Sequence, residues 1–112
     1  MTRTLPLRLN REFRSVYVRG KSSAGVYLVV HVKPNRLPRI RLGLTVSRKL
    51  GGAVQRNRVR RRMREAYRLN EGKFRPGLDI VLVARTRAAK ADFRALQDDV
   101  LAAARRLGAL LP

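Results

Sequence analysis

Residues 56–68 read Arg-Asn-Arg-Val-Arg-Arg-Arg-Met-Arg-Glu-Ala-Tyr-Arg, with arginine at 56, 58, 60, 61, 62, 64 and 68 and one acid, Glu65. The chemistry available to such a run is anion binding. On one helix, like charges four apart repel. A polyanion relieves that repulsion, and the counterions it sheds on binding add to the affinity. Arginine also supplies a planar fork that grips phosphate bidentately and stacks on bases.

The rest of the chain offers little else that could do chemistry. Its seven acids, Glu12, Glu65, Glu71, Asp79, Asp92, Asp98 and Asp99, are scattered or fall on the last helix, and form no cluster able to hold a catalytic metal. There is no cysteine, so no disulfide and no thiolate site. His31 is the one histidine and cannot make a zinc site alone. Neither a Ser/His/Asp set nor a Gly-rich phosphate loop is present.

Net charge points the same way. Lys+Arg number 27 against 7 Asp+Glu, a formal charge of +20 over 112 residues. That is an argument about partners, which could be nucleic acid, an anionic membrane or an acidic protein. No apolar run approaches the roughly 20 residues of a spanning helix. The segment Met1-Thr-Arg-Thr-Leu-Pro6 lacks the apolar stretch of a signal peptide, which suggests a cytoplasmic protein. The basic helix has no Trp or Phe to seat it in lipid. The excess of Arg over Lys is equally well explained by a genome-wide preference, but the net charge is not.

The elements that must position these residues follow from periodicity. The length is that of one domain, residues 1–112, and 45% hydrophobic residues suffice for a core. A first helix is expected over Leu5–Arg19, with Asn10 as N-cap, Glu12 in its first turn and Phe13, Val16 and Tyr17 on one face. A strand over Val26–Val32 sends Tyr27, Val29 and His31 one way and Leu28, Val30 and Val32 the other. A loop with two prolines, Lys33–Pro38, leads to a second strand, Arg39–Ser47. Ile40, Leu42, Leu44 and Val46 face in; Arg41, Gly43, Thr45 and Ser47 face out. These two strands are expected to pair as an antiparallel hairpin.

A basic loop, Ser47–Gly52, precedes the Arg-rich helix at about Val54–Asn70. At ~100° per residue, Val59, Met63, Ala66 and Tyr67 form its buried stripe, while Asn57, Arg60, Arg61, Arg64 and Arg68 share another ~100° sector. Asn57, near the helix start, reads equally well as a cap or as an RNA contact. Leu78–Ala84 is nearly continuously apolar and reads as a central strand, completing a βαβ unit. Asp92 caps a last helix to about Leu107. Its stripe is Phe93, Leu96, Val100, Ala103 and Leu107, with Asp98 and Asp99 early and Arg105 and Arg106 late, in keeping with the helix dipole. The fold class is α+β: order α-β-β-α-β-α, one mixed sheet with helices packed on it.

Phe13 and Tyr17, with Tyr27, Val29 and His31, form a second constellation. Aromatics at helical spacing are usually core. If the first helix lies at a sheet edge, however, the same residues line an open groove suited to unpaired bases.

The run Arg41-Leu-Gly-Leu-Thr-Val-Ser-Arg-Lys-Leu-Gly-Gly-Ala-Val-Gln-Arg-Asn-Arg-Val-Arg-Arg-Arg-Met-Arg-Glu-Ala-Tyr-Arg68 closely resembles the protein-subunit family of bacterial ribonuclease P. That family carries a Gly-Leu-Ser/Thr-Val-Ser-Lys/Arg-Lys strand and loop followed by an Arg-Asn-Arg helix start. Asn10-Arg-Glu-Phe-Arg-Ser-Val-Tyr-Val-Arg-Gly20 is similar to the family's first helix, and Asp79-Ile-Val-Leu-Val-Ala-Arg85 to its last strand.

The resemblance implies an accessory subunit of an RNA-catalysed endoribonuclease. Its RNA subunit, using Mg²⁺ held mainly by RNA, removes the 5′ leader of precursor tRNA by hydrolysis. The polypeptide then has no catalytic residue of its own, binds no organic cofactor or metal, and needs no protein oligomer. The resemblance assigns Arg56, Asn57, Arg58, Arg60, Arg61, Arg64 and Arg68, with Arg48 and Lys49 of the preceding loop, to the catalytic RNA. It assigns Phe13, Tyr17, Val29 and His31 to a groove for the single-stranded leader. It also implies a left-handed βαβ crossover, against the general right-handed rule.

By composition alone, a ribosomal-type structural RNA-binding protein fits equally well. A DNA-binding module is disfavoured, because the helix lacks the mix of Asn, Gln, Ser and Thr that reads base edges.

Overall fold

Ile80 and Val81 of Leu78–Ala84 are both wholly buried, which places this apolar run at the centre of the sheet. The computed structural model describes residues 3–112; Met1 and Thr2 of the N-terminal segment lie outside the described residues. Its elements are β1 (Thr4–Pro6), α1 (Asn10–Arg19), β2 (Lys21–Ala24), β3 (Leu28–Pro34), β4 (Ile40–Thr45), α2 (Ala53–Arg68), β5 (Leu78–Ala84) and α3 (Phe93–Arg106). The five strands form one sheet in the order β1-β4-β5-β3-β2. β4 and β1 run parallel, β4 and β5 run parallel, and β5 and β3 run antiparallel. The mixed α+β architecture and the βαβ unit β4-α2-β5 are as expected from the sequence.

The expected hairpin between the first two predicted strands, now β3 and β4, does not form. β5 lies between them, paired with both. The backbone shows how. Asn35 N donates to Gly77 O at 2.9 Å and Gly77 N donates to Arg39 O at 3.1 Å, so the start of β5 sits in the mouth of the β3–β4 loop. The most apolar strand takes the position buried on both faces, and two half-buried strands flank it.

Two strands escape the sequence pattern. β1 takes Leu5 out of the expected first helix, which begins only at Asn10 with Leu9 as N-cap. Asn10 therefore does not cap; Glu12 does the corresponding work, its Oε1 accepting from Leu9 N at 3.0 Å and Arg8 N at 3.1 Å. These two donors hold the Glu12 carboxyl below its usual range. β2 is an edge strand of Lys21, Ser22, Ser23 and Ala24, polar enough to discourage pairing with another chain.

The two faces of the sheet are covered unequally. One face carries α2 and α3 over a large core that includes Leu28, Val30, Leu42, Ile80, Met63 and Val100. The other carries only α1, over a small core of Leu7, Val16 and Val81 with Phe13 and Val83 beside it. α3 is capped as expected, Asp92 Oδ1 accepting from Ala95 N at 2.8 Å. Asp99 has a different role from dipole compensation. Its carboxylate accepts from the backbone N–H of Val26, Tyr27 and Leu28 at 3.0–3.1 Å, closing the β2–β3 turn onto the helix.

α1 is locked to its face by Arg41. Arg41 Nε and Nη2 donate to the two oxygens of Asp79 at 2.8 and 2.7 Å, and Nη1 donates to Glu12 Oε2 at 2.7 Å. Asp79 is 1% exposed and also accepts from Asn35 Nδ2 at 2.9 Å. Removing one partner of a buried pair leaves an uncompensated charge. Arg41→Met should therefore cost toward the lower end of roughly 3–5 kcal/mol, since Asn35 still serves one oxygen. Urea denaturation measures this; a loss within the roughly 0–1 kcal/mol of a surface pair would show that the lock does not hold the helix.

Candidate nucleic-acid interface

The arginines of α2 separate by angle. Val59, Met63, Ala66 and Tyr67 are buried as expected, with Tyr67 fully enclosed. Burial pushes the Tyr67 hydroxyl up to about 12. It shares a 2.6 Å hydrogen bond with Thr4 Oγ1, and Thr4 donates to Glu71, which ties β1 to the end of α2.

Arg56 lies at ~260° on the wheel, inside the buried stripe when Asn57 is set at zero. It is accordingly half-buried, and its Nε is enclosed without a partner among the described residues. Arg62 donates to Ala91 O at 2.5 Å and anchors α2 to the turn before α3. Arg58, Arg61 and Arg64 are exposed. Arg60 is half-buried, and its Nη1 donates to Asn57 Oδ1 at 3.0 Å. Asn57 is thus no cap: the N-cap is Gly52, and the Asn57 side chain orients Arg60. Arg68 is paired, donating to both oxygens of Glu65 at 2.9 and 2.5 Å.

Arg48 and Lys49 are exposed on a short 3-10 turn, pinned by buried Leu50. Gly51, at φ +120°, lets the chain turn from there into α2, a conformation other residues rarely adopt. The cations of the turn thus directly precede the helix in the chain.

The groove residues gather on the α1 face. Val29 and His31 of β3 lie in register with Val83 and Val81 of β5, which lie in register with Thr45 and Gly43 of β4. Tyr17 stands over this floor, 40% exposed. Its hydroxyl shares a 2.8 Å hydrogen bond with Thr45 Oγ1, and its ring meets His31 edge-on at 4.9 Å. Burial lowers the His31 pKa below the usual 6.5, which favours the neutral imidazole. Its contribution to a ligand is then a ring face and a hydrogen bond, and not a charge.

Phe13 is half-buried. Its ring lies so close to Gly43 that a Cβ there would come within 2.4 Å of Cε1. Tyr27, which the alternation put on the groove face, packs instead against the main core. Thr45 and Val83 complete the floor. Thr45 was legible as an outward residue of its strand. Val83 was hidden in a continuous apolar run that shows no facing.

Most carboxylates are engaged in holding the fold: Glu12 and Asp79 with Arg41, Glu65 with Arg68, Glu71 with Thr4, Asp92 and Asp99 with backbone N–H groups. Among the described residues no three His, Cys, Asp or Glu side chains come together as a metal site. No helix among them is long and apolar enough to cross a membrane.

The fold and this surface define a small α+β domain with a cationic helix and a half-open sheet face. A family model for Ribonuclease P matches residues 1–108. The chain is 44% identical over 99 residues to the ribonuclease P protein component of Clostridioides difficile, covering 88% of this chain and 87% of that one. It is 43% identical to that of Chloroflexus aurantiacus, over 100% of this chain and 83% of that one. The RNase P protein of Staphylococcus aureus superposes with a TM-score of 0.86 at 28% identity, covering 95% of this chain and 97% of the other. That of Thermotoga maritima superposes at 0.80 with 36% identity, covering 87% and 92%. The chain belongs to the ribonuclease P protein family, whose members serve with an RNA subunit in an endoribonuclease of tRNA 5′ processing.

The geometry predicts which arginines matter to a polyanion. Each phosphate contact contributes roughly −0.7 to −0.9 to the log–log salt slope of RNA affinity. Replacing Arg60, Arg61 and Arg64 together by Ala should make the slope shallower by roughly 2–3. Arg68→Ala should change it less, because Glu65 already neutralises that cation. Filter-binding titrations over a salt series measure both; an unchanged slope in the triple variant would mean the face is merely solvated.

Proposed function

We propose that this chain acts on two RNAs at once. The exposed side of α2, with Asn57, Arg58, Arg60, Arg61 and Arg64 and the adjoining Arg48 and Lys49, binds the catalytic RNA subunit. The groove of Phe13, Tyr17, Val29 and His31 binds the single-stranded 5′ leader of precursor tRNA. Arg56 and Arg68 belong to the same helix, but Arg56 is half-buried and Arg68 is paired with Glu65.

The observation that carries this reading is Tyr17: an aromatic ring 40% exposed, held upright by Thr45 and His31 over an apolar floor, on a chain with a charge of +20. A purely structural RNA-binding protein requires the cationic helix but gives no reason for that groove. Base stacking on such a ring tolerates any sequence, as a leader-binding surface must.

In this reading the hydrolysis belongs to the RNA subunit and its Mg²⁺, in the cytoplasm, and the polypeptide needs neither an oligomer nor a metal of its own. The side chains bind and orient: α2 fixes the domain on the catalytic RNA, and the groove draws the leader past it. RNA-free protein should therefore leave precursor tRNA intact, while protein with its RNA subunit and Mg²⁺ should support cleavage; turnover by the protein alone would overturn this.

The groove has its own test. Losing one stacking platform costs about 1–3 kcal/mol of binding per base, whereas truncating a core aromatic costs about 3–5 kcal/mol of stability. Tyr17→Ala should weaken the affinity of the reconstituted holoenzyme for precursor tRNA by about five- to 150-fold and hardly affect mature tRNA, which has no leader. The melting temperature of the protein should barely move. Equal losses for both substrates, or a large drop in melting temperature, would return Tyr17 to the core.

A further inference from the structure

A second recess lies at the other edge of the same sheet. β1 pairs with β4 only over Ile40–Leu42, and Leu7 N then donates to Leu42 O at 2.9 Å before the chain turns away into α1. Among the described residues, Gly43–Thr45 therefore have no strand on that side. Along a strand, alternate residues direct their backbone groups to the same neighbour. Leu42 faces β1, so the N–H and C=O of Leu44 also point outward, with no strand to pair them.

Beside this open edge is a cleft of about 430 Å³, lined by Leu7, Phe13, Gly43 and Leu44 on one side and by Arg60 and Arg64 on the other. That volume is within the roughly 300–1,000 Å³ of small-ligand sites. The lining is apolar where a ring would rest and cationic where a phosphate would rest, and none of its residues is acidic. Of the leader-groove residues only Phe13 lines it, and its cationic wall belongs to α2.

We propose that this recess receives one unstacked nucleotide of the catalytic RNA. Its base lies against Leu7 and Leu44 and hydrogen-bonds the open backbone of Leu44. Its phosphate is held by Arg60 and Arg64, as guanidinium forks hold phosphate. Unpaired nucleotides, splayed out of the stack, are what proteins read most readily in RNA. The proposal rests on the assignment of α2 to the catalytic RNA. It adds an inserted nucleotide to what would otherwise be a purely electrostatic contact.

Two measurements test it. In the first, the labelled full-length chain is titrated with AMP, with UMP and with inorganic phosphate, and the backbone amides are followed by NMR. The nucleotides should shift the Leu44 amide saturably, and phosphate alone should not. No nucleotide-specific shift at Leu44 would overturn the site.

In the second, Leu5→Trp fills the recess from β1, where Leu5 is 41% exposed and lines the cleft, so folding should survive. Affinity for the RNA subunit should fall by about tenfold, the scale of one stacked base. The ratio of precursor to mature tRNA affinity should hold. Unchanged affinity for the RNA subunit, or a loss confined to precursor tRNA, would overturn the assignment. A failure of the Tyr17 experiment would remove the leader groove without touching either result.

Discussion

Arg41 is the residue on which the α1 side of the sheet depends. It lies where β4, β5 and α1 meet, gripping Asp79 with two donors and Glu12 with a third. Glu12 in turn holds the backbone N–H groups of Arg8 and Leu9, just before α1. A single guanidinium thus fixes the start of the helix to the sheet. Lys33, donating to Ser15 Oγ at 2.8 Å, adds a second point further along α1. With the small α1 core of Leu7, Val16 and Val81, these contacts set how far Tyr17 stands from His31. A groove wall held only by apolar packing could slide; one held by a directional ion-pair network has one position. Arg41 is therefore part of the groove without touching what the groove binds.

A domain with a charge of +20 must still fold, and seven acids cannot neutralise 27 bases. The chain uses backbone carbonyls as well. Arg62 donates to Ala91 O, Arg75 to Gly108 O, and Arg85 to Gly25 O. Arg106 reaches Ser23 Oγ and Ala24 O. Each of these cations is partnered within the fold and pins one element to another. On α2, Arg58, Arg61 and Arg64 are exposed and have no such acceptor among the described residues. The charge that remains on this helix for a partner is what is left after the fold has been tied together, and wheel position sorts it only in part, since Arg68 shares the sector of Arg61 and Arg64 and is paired with Glu65.

This sorting also explains what could be read from the sequence. The periodic elements were legible because their burial follows period: the stripe of α2, the cap and stripe of α3, and the in–out alternation of β4. Val29, His31 and Tyr17 were legible as one surface for the same reason. β1 and β2 were not, because a three-residue strand and a Lys-Ser-Ser-Ala edge strand have no apolar alternation to show. The β3–β4 pairing failed because adjacency in sequence favours a hairpin, while the demand to bury β5 on both faces favours inserting it. Asp99 was read by its distance from a helix end, whereas its partners lie more than 70 residues away in the chain. The roles of Arg62 and Arg68 needed coordinates, since only neighbours distinguish a pinned arginine from a free one.

The open groove follows from dimensions. A ten-residue helix is ~15 Å long and ~10 Å wide, and a five-stranded sheet is about 20–24 Å across. α1 alone cannot cover that face, whereas α2 and α3 together cover the other. The strip it leaves carries Val29, Val83 and Thr45, apolar or weakly polar groups that water solvates poorly. Lengthening α1 would close the strip, but Gly20 ends the helix and β2 begins at once at Lys21. A Cβ at Gly20 would meet the Val32 carbonyl at 2.4 Å, so the chain must turn back onto β3 there. The close approach that terminates α1 is thus also what keeps the floor uncovered. A surface left open by such a constraint, beside a concentration of arginine and an upright tyrosine, suits a ligand that is flat, apolar on its faces and anionic along its length. Single-stranded RNA has those properties, which is why fold, charge and groove support the same reading.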